Sequence, residues 1–173
     1  MNPKDNKGFT LIELLIYIAL VAGILLTATS FAWNIINSRT KAFVIQEVSQ
    51  NGRYTMNIIA SQIRQASGIS KPGVSGSENY LMLKMGDTGA SVNDFRLFQD
   101  KLQFQENGGG YHDLTSDNVR VADLHFTNVS TVDGRTQNIK INLTLEHINP
   151  DNRPEWSYSD DFETTIELRN KAK

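Results

Sequence analysis

Glu13 is the single carboxylate in GFTLIELLIYIALVAGILL, residues 8 to 26. An acid at the centre of a membrane helix costs about 2.5 to 3.5 kcal/mol on insertion scales, and less near the interface. An opposite charge in the same low-dielectric surroundings would attract it far more strongly than in water. Ion pairing is thus the chemistry open to Glu13, yet no residue from Leu14 to Ser38 carries a charge. The acid needs a partner that the span itself does not supply.

The other reactive side chains form no recognisable site. His112, His125 and His147 are scattered over a strand-rich region, where a histidine on an exposed polar face is the expected state. Asp151, Asp160, Asp161 and Glu163 read as an acidic loop before the last strand. Their spacing fits no EF-hand loop, so a solvated loop is expected rather than a calcium site. Asn128-Val-Ser and Asn142-Leu-Thr fit the glycosylation sequon as chance matches, the second inside a strand. There is no nucleophile motif or phosphate loop, and with no Cys there is neither a disulfide nor a thiolate ligand. The reading is not an enzyme, with no cofactor and no metal. A net charge of -2 and basic residues diluted by acids give no nucleic-acid footprint.

The elements that hold Glu13 follow from the apolar pattern. Leu14 to Trp33 supplies the roughly 20 residues that cross a hydrocarbon core of about 30 Å. Lys4 and Lys7 precede it, which keeps the short N-terminal end in the cytoplasm and sends the rest outward. A cleaved secretory signal would have a shorter apolar run, no acid and a helix-breaking cut site. Beyond the span, Ile45, Val48, Gly52, Met56, Ile59, Ile63 and Ala66 keep three-or-four spacing, the mark of a helix with one buried stripe. One helix from Phe9 to about Ser67 would be about 90 Å long. A break near Asn34 or Asn37 stays open, because Thr27, Thr29, Ser30 and Asn34 have weak helix propensity.

SGISKPGVSGS, ending at Ser77, reads as a connector. The period then becomes two: Tyr80 to Met85, Phe95 to Phe98 and Leu102 to Gln105 read as strands, and NGGG from Asn107 as a turn. Val119, Val121, Leu124 and Phe126 form a strand with a bulge near Ala122. VDGR, Val132 to Arg135, makes a hairpin into Ile139, Ile141, Leu143 and Leu145. Phe162, Thr164, Ile166 and Leu168 give a last strand in the same sheet. The fold class is α+β: a long N-terminal helix, membrane span then amphipathic half, packed on a C-terminal antiparallel β-sheet head.

A Lys-containing leader ending in Gly8, then Phe9, Thr10, Leu11, Ile12, Glu13, Leu14 and Leu15, resembles the N-terminal signature of type IV pilins and type II secretion pseudopilins. The resemblance implies cleavage between Gly8 and Phe9 by a prepilin peptidase and N-methylation of Phe9. It places Glu13 as the assembly residue, able to meet the new Phe9 ammonium of its own chain or of a neighbour. It divides the chain into a cleaved leader (1–8), a transmembrane and filament-core half-helix (9–33), an amphipathic half-helix on the head (34–67), a connector (68–79) and a β-rich head (80–173). Implied partners are the prepilin peptidase, other pilin or pseudopilin subunits, the inner-membrane assembly platform and membrane lipid. The implied location is the bacterial inner membrane, single-pass with the head outside the cytoplasm, and then an extracytoplasmic filament.

The head lacks the paired Cys of many major pilins and ends in FETTIELRN, which is similar to minor pilins and minor pseudopilins. In that family part of the buried helix often melts in the filament; Gly23 and Thr27 to Ser30 are the segment for it here. The resemblance implies a structural filament subunit. The alternative is a minor pilin whose head is a binding module for DNA, a surface or a secreted cargo.

Overall fold

The computed structural model describes residues 9–86, 88–133 and 135–169. An uninterrupted run of helix-compatible residues becomes one helix, α1 (Leu11–Gln65), with no break at Asn34 or Asn37. The weak helix formers in it are accommodated locally. Thr27, Thr29 and Ser30 turn their hydroxyls onto carbonyls one turn back, those of Gly23 and Ile24, of Leu25, and of Leu26, which leaves the backbone helical. The chain divides into two units, Met1–Thr40 and Lys41–Lys173. In the first, the apolar stretch of α1 is long enough to cross a membrane, and none of it is buried within the chain.

In the second unit, α1 buries Val44, Val48, Gly52, Thr55, Ile59 and Ile63, followed by Ala66. This corrects two positions of the expected stripe: Ile45 is 37% exposed and Met56 only half-buried. Successive helical residues turn by about 100°, so Val44 rather than Ile45 stands above Val48, and Thr55 rather than Met56 lies between Gly52 and Ile59.

Among the described residues, nine strands form two antiparallel sheets rather than one. The first has the order β1 (Gly68–Lys71), β3 (Tyr80–Met85), β4 (Ser91–Phe98), β5 (Lys101–Gln105), β6 (Tyr111–Asp113). The second has the order β2 (Ser77–Glu78), β7 (Val119–Asn128), β8 (Asn138–His147), β9 (Ser159–Glu167). The stretch read as a connector therefore contributes two short strands, one to each sheet. Gly and Ser there leave the backbone free to pair while offering no apolar alternation.

The long strands follow their two-residue period. β7 shifts register between Val121 and Asp123, at the expected bulge, and β8 pairs with both β7 and β9. Ile139, Ile141, Leu143 and Leu145 of β8 are all buried, and they join Leu81, Leu83, Phe95, Leu102, Phe126 and Ile166 in one core with Val48, Ile59 and Ile63 of α1. Each such side chain withdrawn from water stabilises the fold by about 1.5 to 3 kcal/mol. This is an α+β, pilin-like arrangement: a long helix whose C-terminal part packs on antiparallel sheet.

Candidate functional site

α1 begins where Thr10 can cap it. The Thr10 Oγ1 accepts the Glu13 amide N–H at 3.3 Å, and the Thr10 carbonyl accepts the Leu14 N–H at 3.2 Å. A Thr followed three residues later by Glu has the spacing of a capping box. Thr10 is thus a site residue that reasoning from Glu13 alone passed over, although TLIE in the sequence carries the signal. Glu13 stands in the first helical turn, where the helix dipole favours an anion by about 0.3 to 1 kcal/mol. That offsets only part of the cost of an acid in a membrane, so the helix end does not by itself satisfy Glu13.

Phe9 precedes the helix and is 72% exposed, its ring tilted against Tyr17 at 5.8 Å between centroids. Gly8 lies outside the described residues. In the uncleaved chain the Phe9 nitrogen is a peptide amide, so the cation expected to meet Glu13 does not exist before processing. Leu11, Ile12, Leu14, Leu15 and Ile18 are each more than half exposed, so among the described residues this end of α1 is an open apolar surface.

Residues 3–29 match the family model of the prokaryotic N-terminal methylation motif. The chain carries the type IV pilin and pseudopilin signature. Neither curated proteins nor solved structures give a match to it. The signature marks a precursor of the kind that a prepilin peptidase processes and that assembles with other pilins. It belongs to proteins that are typically structural, and its apolar helix is consistent with membrane anchoring.

The reactive side chains of the second unit are placed differently from several expectations. Asp160, Asp161 and Glu163 are not in a loop but in β9, with only Asp151 before it. Strand pairing sets their partners: Asp161 accepts from Thr144 Oγ1 at 2.7 Å, and Glu163 from Asn142 Nδ2 at 2.8 Å and Lys140 Nζ at 2.9 Å. The hydrogen bond and charge of Lys140, then Asn142, hold the Glu163 carboxyl below its usual range. Among the described residues no group of three or more His, Asp or Glu is placed to hold a metal ion.

His147 is buried rather than exposed, because it continues the inward face of β8. Its Nδ1 lies 3.0 Å from the Ile148 carbonyl, and its ring tilts against Trp156 at 5.4 Å. His125 is half exposed beside Asp123 at 3.1 Å, and His112 is exposed. Asn128 of the first sequon is buried and donates from Nδ2 to the Pro72 carbonyl at 2.9 Å, which withholds it from modification in the folded head. A cavity of about 450 Å³ is lined by Arg120, Glu146, His147, Asn149 and Tyr158 among others. Arg120 and Glu146, cross-strand neighbours in its lining, pair at 2.7 Å, so these two opposite charges neutralise one another.

Proposed function

We propose that the chain is a structural subunit of a type IV pilus or a type II secretion pseudopilus. A prepilin peptidase cuts between Gly8 and Phe9, and Phe9 becomes the methylated N-terminus. Residues 9–33 then serve as membrane span and filament core, residues 34–67 join that span to the head, and the β-rich head faces away from the cytoplasm. In the assembled filament Glu13 meets the Phe9 ammonium of a neighbouring subunit, which fixes the register between them. Other subunits, the inner-membrane assembly platform and lipid are the partners.

The observation that carries this reading is Glu13 in the first turn of α1, among apolar side chains that stay exposed from Leu11 to Trp33 among the described residues. A filament supplies apolar neighbours for the helix and a cation for the acid together. The pairing is strong only away from water.

The test is to express Glu13→Ala beside wild type in cells carrying the matching peptidase, verify equal cleavage at Gly8, and quantify the subunit in sheared filaments. The variant should be processed and inserted normally and be lost from the filament fraction. Equal incorporation would refute the assembly role. Glu13→Asp keeps the charge on a shorter arm, so partial incorporation is expected from direct pairing.

A further inference from the structure

The outward face of the first sheet carries a cation, Arg96, with no carboxylate within ion-pair distance among the described residues. Leu81, Leu83, Phe95 and Leu102 of this sheet point into the core, so their alternate neighbours line the opposite face. Register places Tyr80, Arg96, Gln103 and Asp113 in one row across β3, β4, β5 and β6, and Met82, Asp94, Gln105 and Tyr111 in the next.

Asp94 is the fixed point of this face. It is 4% exposed, and its Oδ2 accepts from the Tyr80 hydroxyl at 2.5 Å and the Tyr111 hydroxyl at 2.9 Å. Tyr111 is thereby held as a wall for Arg96, whose guanidinium carbon lies 3.4 Å from the Tyr111 ring centroid and 4.9 Å from that of Phe98. Arg96 donates from Nε and Nη2 to the neutral Gln103 Oε1, each at 3.0 Å. No carboxylate lies within ion-pair distance of it among the described residues. A guanidinium offers five N–H donors in a planar fork, and here the fork is oriented by stacking before any ligand arrives.

We propose that Arg96, between Tyr111 and Phe98, is a docking point for an acidic side chain of a partner polypeptide. A stacked, oriented guanidinium matches a planar carboxylate, which takes two parallel charge-assisted hydrogen bonds. Phe98 is 46% exposed and offers apolar contact to the residue beside that acid. The same surroundings disfavour a polyanion. Asp94 lies two residues from Arg96 on the same face of β4, and Asp113 stands in its row, held by Gln103 Nε2 at 2.8 Å. Like charge disfavours added negative charge in proportion to its amount, so a single carboxylate meets less repulsion there than successive phosphates. This surface is separate from the assembly role of α1.

The experiment uses the full chain in detergent micelles, titrated with the blocked dipeptide acetyl-Glu-Leu-amide and followed through the Arg96 Nε–Hε resonance and, in every variant, the Gln103 side-chain amide that Arg96 bonds. The Arg96 resonance should shift with saturation. Acetyl-Gln-Leu-amide, inorganic phosphate and oligo-dT should leave it in place. Arg96→Gln should weaken binding at least about tenfold, since charge-assisted bonds are roughly twice as strong as neutral ones, and Arg96→Lys should not restore it, because an ammonium neither stacks flat nor forks. Phe98→Ala, an exposed position that keeps the charge, should weaken the dipeptide several-fold and covers the case in which Arg96→Gln does not fold. No saturable shift, full binding by Arg96→Lys, unchanged affinity in Phe98→Ala, or tighter binding of phosphate or oligo-dT would overturn the proposal.

Discussion

The ring of Phe162 lies flat against Gly52: a Cβ on that glycine would stand 2.0 Å from Phe162 Cζ and 2.2 Å from Cε2. A helix interior ordinarily gains about 0.5 to 1 kcal/mol when Gly becomes Ala. Here the methyl would occupy the space of the ring that β9 lays on α1. Gly52→Ala should therefore lower the melting temperature of the head, with overpacking costing about 1 to 3 kcal/mol. Combining it with Phe162→Ala should recover part of the loss, because neighbouring changes couple. Additive losses in a double-mutant cycle would show that the two residues do not constrain one another.

Processing gives a second prediction. Membranes with the matching peptidase should yield a chain that begins at methylated Phe9, read by N-terminal mass spectrometry. Gly8→Ala keeps a small residue and should still be cut, whereas Gly8→Trp should accumulate as precursor. Normal maturation of Gly8→Trp, or a new terminus near Ala28 or Ala32, would point to a different cleavage system.

Stability of the head rests on the two-residue period of β8. Ile141 is fully buried between strands β7 and β9. Burying an unpaired ion costs several kcal/mol, against a usual total of about 5 to 15. Ile141→Asp should abolish the folded head, whereas Asn142→Asp, on the solvated face, should leave it folded. Circular dichroism melts of the two variants check this directly.

Alkaline pH offers a fourth test. Burial first, and then the hydrogen bond to Asp94, push the Tyr80 and Tyr111 hydroxyls above the ordinary tyrosine range. A proton held more tightly in the folded state gives stability that is complete below the unfolded value and is lost as pH rises above it. Unfolding by urea should thus become easier between roughly pH 9 and pH 11. Tyr80→Phe should flatten that alkaline limb while costing about 1 kcal/mol near neutrality, through the hydrogen bond removed from Asp94. An unaltered alkaline slope in Tyr80→Phe would show that its hydroxyl is not linked to folding.

Legibility in the sequence followed the length of each element. Ile139 to Leu145 alternates over enough residues for β8 and both its neighbours to be read directly, and the Val121–Asp123 register shift appears as a slip in the alternation. β1, β2 and β6 are two to four residues long, too short to establish a period, and their pairing is decided by β3, β7 and β5 rather than by their own composition. The division into two sheets was hidden for the same reason, since it depends on which strand each short edge joins. Thr55 escaped because it is a polar residue buried by its helical phase, and His147 because a histidine continued an apolar face past the point where apolar residues end. At the N-terminus, Glu13 is conspicuous by its charge, while Thr10, which accepts the Glu13 amide N–H, is signalled only by the weaker Thr-to-Glu spacing of TLIE. The Arg96 shelf draws residues from β3, β4, β5 and β6, and no linear spacing brings them together.

The back-bonded hydroxyls of Thr27, Thr29 and Ser30 are satisfied within the apolar half of α1 itself. Each of these three hydroxyls is already engaged by a carbonyl of its own helix, so it requires nothing from whatever medium lies outside. A helix built in this way can exchange one oily environment for another without breaking hydrogen bonds on departure or seeking new ones on arrival. Its polar atoms travel with their solvation included, and the cost of relocation falls on the single charged group at its end.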